Sequence, residues 1–404
     1  MAHLRKRYLE GVFETVSRFS SLVGVLGHRQ VGKTTLLEQI CKTYHTLDDA
    51  SELESAQANA KKYLNKRQGH LVAIDECQLA PELFPALKEH VRINKQRGQF
   101  ILSGSVRFTS RKAIRESLTG RVINLELYPL TMQEIEHKPL SSACRKAMNV
   151  SSLEFFSNEK PTLKNNEFTY WTKVMNNYKI LGGLPGICFV NDEKLRDLRL
   201  RDQVHTVLDR DLRLVQKTNL PLSQIEQLCR RLSELQGKPL DYTDLQKNTG
   251  ISAPTLKKLL FALEAVFLIR LFPIEGGRKG HIVFFEDIAE ANWFRGVRSD
   301  DTSLLAHLCF TQIRAQFGYI LGEKSEIFHF RTRGGAVVPL GIRTRTGVLG
   351  VLPIRDAQDA QSALGSAGSF IRAYENSRVL VLHPGKEMRL LHPRILLAPL
   401  VEFL

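Results

Sequence analysis

Eight residues near the start, GHRQVGKT at 27–34, constrain this chain more than any other feature. They fit G-x-x-x-x-G-K-[ST] and lie after the apolar run LVGVL at 22–26. A helical pattern follows over 34–44, with Leu36, Leu37, Ile40 and Tyr44 on one face. Gly27 and Gly32 let the backbone wrap close to phosphate oxygens. The backbone of Gln30, Val31, Gly32, Lys33, Thr34 and Thr35 then faces the negative charge, with the helix dipole behind it. Lys33 is expected to bridge the β and γ phosphates and Thr34 to ligate magnesium, so ATP and Mg2+ are the expected ligands. A Gly-rich turn with a solvated lysine is the bland alternative.

A second run, LVAIDE at 71–76, is a strand pattern ending in two carboxylates. Asp75 can hold magnesium through water, and Glu76 can orient or deprotonate an attacking water. A strand followed by Asp-Glu is also a common surface turn, and its distance from the loop argues against that. A third run, FILSGS at 100–105, ends in Ser103 and Ser105, where a hydroxyl can touch the γ phosphate or the water or simply cap the turn. The helical stretch ELFPALKEHVRINKQRG separates the last two runs, and strand–helix–strand alternation builds parallel sheets.

Composition bounds the partners. The chain has 404 residues and is 43% hydrophobic, enough for a core and too much for wholesale disorder. Lys plus Arg outnumber Asp plus Glu by 57 to 42, a net charge of +15. A large partner met by charge is therefore anionic: DNA leads, an anionic membrane surface trails, and a merely solvated basic surface is the alternative. Cys41, Cys77, Cys144, Cys188, Cys229 and Cys309 stand too far apart for a CxxC pair, which suggests a reducing compartment. The basic N-terminus has no signal-like apolar core, and no stretch approaches a membrane span, so a cytoplasmic protein is expected.

Four regions are expected: a nucleotide domain over 1–136, a helical lid or linker over 137–215, a winged helix over 216–296 and a last domain over 297–404. Residues 141–166 are polar and weakly periodic. From Leu222 three helical segments run to Phe267, with Gly250 at a turn and Ser252 as an N-cap, and the strand patterns LIRLFPI and HIVFFED follow, joined by GGRKG. Three helices and a Gly-tipped ribbon make a winged helix. Its helix from Ser252 would enter a DNA groove with Thr255, Lys257 and Lys258 exposed, while Arg278 and Lys279 at the tip meet phosphate. The alternative is a packing or lid module that binds no DNA. Beyond 303 the pattern reads helix, three strands, helix and two strands.

RYLEGV at 7–12, GHRQVGKTTLL at 27–37, IDECQLAPELFPALK at 74–88, ESLTGR at 116–121, LYPLTMQE at 127–134, LGGLPG at 181–186 and LDRDL at 208–212 together carry a resemblance. The chain resembles prokaryotic AAA-type ATPases with an archaeal-ATPase-like P-loop domain and a C-terminal region of unknown function. That resemblance implies an α/β P-loop NTPase with a parallel sheet, a helical region, a winged helix and a restriction-endonuclease-like α/β domain. It also leads one to seek an arginine that reaches a γ phosphate, often from a neighbouring subunit in a homo-oligomer. Arg121 is the candidate, with Arg111 and Arg115 as rivals and an ion pair to Glu116 or Glu126 as the bland reading. In the endonuclease-like domain the expected acids and lysine fall on Ala306, Val337, Pro339, Val351 and Pro353, which cannot hold a cation. That domain is expected to be degenerate and inactive, with Asp356 and Asp359 as helix-start charges.

The functional expectation is a Mg-dependent ATPase whose nucleotide state switches its grip on DNA or a protein partner. Two alternatives are a nucleotide-bound scaffold that does not hydrolyse, and a DNA-binding transcription regulator with an accessory ATPase. Glu76 favours hydrolysis, because binding alone does not need it.

Overall fold

β1 (Leu22–Gly27) is buried at every position, as a strand covered by helices on both faces requires. It lies in a five-stranded sheet of order β2-β3-β4-β1-β5, in which every neighbouring pair is parallel. The other members are β2 (Thr43–Thr46), β3 (Val72–Asp75), β4 (Phe100–Gly104) and β5 (Val122–Leu127). The protein is described here from a computed structural model that covers residues 4–67, 69, 71–108, 120–141, 143, 146–147, 152–157, 163–277, 279–296, 302–320 and 326–404.

The helices around this sheet are α1 (Leu9–Ser17), α2 (Lys33–Ile40), α3 (Ala50–Ala58), α4 (Ala60–Asn65) and α5 (Leu83–Ile93). α2 is shorter than its apolar period suggests. Cys41 turns extended, and Tyr44 belongs to β2, where it pairs with Ala73. The β-branched Thr43 and Thr46 suit that strand, and pairing overrides the helical period.

The middle of the chain is helical: α6 (Asn165–Leu181), a turn at Pro185–Cys188, and α7 (Glu193–Thr206). α7 runs on through a π-helical turn, Val207–Asp211, into Leu212–Val215. Next come α8 (Leu222–Glu234), α9 (Tyr242–Thr249), α10 (Ala253–Ala265) and the antiparallel pair β6 (Ile269–Glu275) and β7 (His281–Phe285). Gly250 caps α9 at φ 67, the left-handed value that a Cβ would strain. Ser252 stands at the N-cap of α10, but its hydroxyl donates to Thr255 Oγ1 at 3.0 Å and bonds no backbone amide.

The ribbon does not stand apart from the last region. After α11 (Ile288–Arg295) and α12 (Thr302–Gly318), the chain builds β8 (Glu326–Arg331), β9 (Val337–Thr344), β10 (Gly347–Pro353), α13 (Ala360–Ala373), β11 (Ser377–His383), β12 (Arg389–His392) and β13 (Ile395–Pro399). β6 pairs in parallel with β8, so one eight-stranded sheet runs in the order β12-β13-β11-β10-β9-β8-β6-β7. Gly277 at the ribbon tip bridges to Thr332, and Arg333 donates to its carbonyl. β12 is an edge strand, half-buried to exposed along its length, that the sequence reading did not include.

α12 is buried from Leu304 to Phe317, and several of the polar side chains it carries inward find partners. His307 meets the Phe285 carbonyl at 2.8 Å, Gln312 accepts from Met132 N–H at 2.9 Å, and Gln316 donates to the Leu404 carbonyl at 3.0 Å. Arg314 and Arg270 form a closed square with Glu126 of β5 and Glu286 after β7, every side bonded. Burial pushes the Glu126 carboxyl up to about 7 in spite of these arginines. The square ties the edge of the five-stranded sheet to the ribbon and to α12.

Candidate functional site

Because β4 lies between β1 and β3, the carboxyl ends of three strands meet beside the loop that follows β1. Val25 pairs with Ser103 and Ile74 with Leu102, so Ser103 stands level with Asp75. The loop 28–32 takes two left-handed residues, Gln30 at φ 59 and Gly32 at φ 98, and opens α2 at Lys33. Lys33 is buried, and its Nζ lies 3.1 Å from the Gly27 carbonyl and 3.0 Å from that of His28. Burial lowers its pKa, while Glu76, Asp75 and Asp211 act in the opposite direction.

Asp75 is the polar hub. Its Oδ2 accepts from Thr34 Oγ1 at 2.7 Å and from the Tyr44 hydroxyl at 2.8 Å, and its Oδ1 accepts from the Ser103 hydroxyl. Thr34 and Asp75 thus present adjoining hard oxygens, a donor set that suits Mg2+ with phosphate oxygens and water completing the shell. Glu76 follows in a left-handed conformation at φ 54, a strained position for a non-glycine residue. Its carboxylate accepts from Gln78 Nε2, which also reaches Ser105 Oγ at 3.3 Å. Burial raises the Glu76 pKa, Lys33 lowers it and Asp75 raises it further, with a net upward shift. Beside Gly32 and Thr35 a cleft of about 630 Å3 opens, lined also by Arg5, Gln39 and Phe189.

Residues 20–136 match the protein family described as AAA domain. This region is an AAA-type P-loop domain. Residues 172–283 match a family described as a domain of unknown function (DUF8612), which spans the helical middle and the ribbon but not the last hundred residues. An uncharacterized protein of Mycobacterium tuberculosis and one of Mycobacterium bovis are each 33% identical over 117 residues, 28% of this chain. That stretch is 26% of either protein, so the chain spans about a quarter of the length of the curated relatives it matches. A solved Walker-type ATPase of Pyrococcus abyssi is similar at 15% identity and a TM-score of 0.42, over 72% of this chain and 96% of that one.

Several residues that hold the AAA domain's loop were not legible as site residues. Arg7 is buried and donates to the Val31 carbonyl at 2.9 Å, the Tyr128 carbonyl at 2.6 Å and Glu134 at 3.1 Å, so it grips the loop from outside. His28 faces Glu290 of α11 at 3.1 Å, both fully buried, and Glu290 also accepts from Gln203 at 2.8 Å. Burial works against the His28 imidazolium, but the Glu290 carboxylate outweighs it and the pKa is raised. Arg29 faces Asp211. In LGGLPG, Gly182 has φ 63 and a Cβ there would meet Asp287 at 2.2 Å, while Gly183 donates its N–H to Asp287 at 2.7 Å. Burial pushes the Asp287 carboxyl up to about 7.

The arginine candidates fare differently. Arg121 precedes β5, whose Val122 pairs with Leu22 while Leu127 pairs with Gly27. The strand's length, about 17 Å, therefore separates Arg121 from the phosphate loop of its own chain. It is equally far from Glu126, whose partners are Arg270 and Arg314. Arg111, Arg115 and Glu116 lie outside the described residues, as does Arg278. Lys257 and Lys258 are exposed on α10 beside Phe261, which is 54% exposed, and Thr255 is half-buried next to them. Lys279 is exposed at the ribbon tip.

In the last region Ala306 and Val351 are buried in one apolar core, and Pro339 is buried on β9. Val337 and Pro353 lie at the start of β9 and the end of β10. Asp356 accepts from Gln358 N–H at 2.9 Å, and Asp359 stands at the N-cap of α13. Among the described residues no three His, Cys, Asp or Glu side chains cluster as a metal site. Among the described residues no helix is long and apolar enough to cross a membrane.

Proposed function

We propose that the chain is a Mg-dependent ATPase whose nucleotide state alters its grip on DNA. The observation that carries this reading is the contact of Thr34 with Asp75 at 2.7 Å, with Glu76 and buried Lys33 beside it. Bound Mg2+ would neutralise charge on the β and γ phosphates from the Thr34 and Asp75 side. Lys33 leaves its two carbonyls and takes phosphate oxygens. The cleft beside Thr35 receives the nucleoside. Glu76, its pKa raised by burial, orients water and takes its proton as the oxygen adds to the γ phosphorus. The bond from that phosphorus to the β–γ bridging oxygen breaks, and ADP leaves with the electron pair. Ser103 and Ser105 keep Asp75 and, through Gln78, Glu76 in place.

DNA is the partner that the net charge of +15 and the exposed Lys257, Lys258 and Lys279 favour. Phe261 on the same face of α10 favours a protein partner as the second reading. The last region supplies shape and contacts, not phosphodiester chemistry, because its expected acid positions are apolar. Phosphate release from pure protein, with and without duplex DNA, tests the proposal, with Lys33→Ala as the control that removes nucleotide binding. Release that DNA changes and Lys33→Ala abolishes is expected. Tight ATP binding with no release would favour a scaffold instead.

A further inference from the structure

Among the described residues Arg29 and Arg210 both stand within electrostatic reach of Glu76. Arg29 is the third residue of GHRQVGKT and so belongs to the phosphate loop itself. Its Nη1 lies 3.2 Å and 3.3 Å from the two carboxylate oxygens of Asp211. Both contacts come from one nitrogen, so this is not the two-nitrogen fork in which arginine binds carboxylate most strongly. Arg29 also stands within electrostatic reach of both Lys33 and Glu76, the groups expected to flank the γ phosphate. Arg210, the neighbour of Asp211, turns to Asp48 at 3.0 Å and is far more exposed.

We propose that Arg29 is the arginine that meets the γ phosphate, supplied by the loop of the same chain, and that Asp211 holds it while that phosphate is absent. This inference rests on the reading of the loop as an ATP site. A γ phosphate offers Arg29 more negative charge than one carboxylate and a matching set of oxygens. Moving to it leaves Asp211, only 2% exposed, as a buried carboxylate without its cation. Such a group is costly, so the segment that carries it shifts toward water or another donor. That segment is the π-helical turn Val207–Asp211, a distortion often found at functional positions. Val207, Leu208 and Leu212 pack in one core with Ile225 and Leu228 of α8 and Leu256, Leu259 and Leu260 of α10. Presence of the third phosphate is thus passed from Arg29 through Asp211 to the helix that carries Lys257 and Lys258.

The test compares binding of ADP and of a non-hydrolysable ATP analogue, then turnover. Arg29→Ala is expected to bind the analogue at least tenfold more weakly and ADP within about twofold of wild type, and to lose about 1,000-fold in kcat. Because Arg29→Ala leaves Asp211 unpaired, the double variant Arg29→Ala/Asp211→Asn provides the same comparison without a stranded carboxylate. Asp211→Asn alone should tighten the analogue, not ADP, a readout that a merely structural role would not move. Equal loss for both nucleotides in the double variant, or none for either, overturns the inference and leaves the ATP reading standing. Selective loss in Arg210→Ala but not in the double variant also overturns it. Wild-type protein that binds neither nucleotide defeats the ATP reading and the inference with it.

Discussion

β3 and β10 are short apolar strands inside sheets, each paired in parallel to a neighbour, and they end in opposite chemistry. β3 runs out into Asp75 and Glu76, where Thr34, Tyr44, Ser103 and Gln78 turn polar atoms toward one point. β10 runs out into Pro353 and the buried Ile354, and the next carboxylate, Asp356, is spent on an amide of the turn it caps. The scaffolds are alike, and among the described residues the end of β3 gathers carboxylate and hydroxyl oxygens at one point while the end of β10 is apolar. A strand end is a place where a site can be built, and the residues just past it decide whether one is.

The sharpest way to break this comparison is at Glu76. Glu76→Gln keeps size and hydrogen bonding but cannot take a proton, so kcat should fall about 1,000-fold while ATP affinity holds. Its pKa is raised above the ordinary carboxylate value, so wild-type hydrolysis should fall away with acid at a pH above that value. In Glu76→Gln that acid limb should vanish. A pH–rate profile of both proteins checks it, and wild-type turnover in the variant removes Glu76 from the chemistry.

The next effect lies where the two sheets meet. Arg314→Ala leaves Arg270 as the one arginine of the square facing both Glu126 and Glu286 in a buried setting, which should destabilise the protein by about 3 kcal/mol. Urea unfolding followed by tryptophan fluorescence would report it, and an unchanged midpoint would mean that the square contributes nothing net.

The smallest effect belongs to the end of β10. Asp356→Ala removes an N-terminal cap and should cost about 1 kcal/mol of stability, with no change in how the protein treats DNA. If plasmid DNA is cut by wild type in Mg2+ and spared by this variant, the contrast between the two strand ends fails.

Much of the AAA domain's candidate site could be placed from sequence because its parts are local. The loop and the Asp-Glu pair each declare themselves within a few residues. Tyr44 was misassigned because a helical period carried past Cys41, where the backbone had already left the helix. Glu290 and Asp211 were hidden for another reason: each lies far along the chain and meets His28 or Arg29 only after folding. Nothing in LDRDL marks which of its two aspartates turns inward, since a π-helical turn decides it. The three helices and the ribbon were readable from period and glycines, but the pairing of β6 with β8 was not, because both edges of a ribbon look alike in sequence.

The square of Glu126, Arg270, Glu286 and Arg314 sets an order of assembly. During synthesis β5 leaves the ribosome long before either arginine, so the first sheet must wait with Glu126 solvated or protonated and its outer edge unfinished. Closure comes only when α12 emerges and docks, so the last side of the square couples the edge of the first sheet to a helix made much later, against the domain-by-domain folding usual for chains of this length. A nascent chain stalled before Arg314 is the form that a chaperone or protease would meet with that edge open.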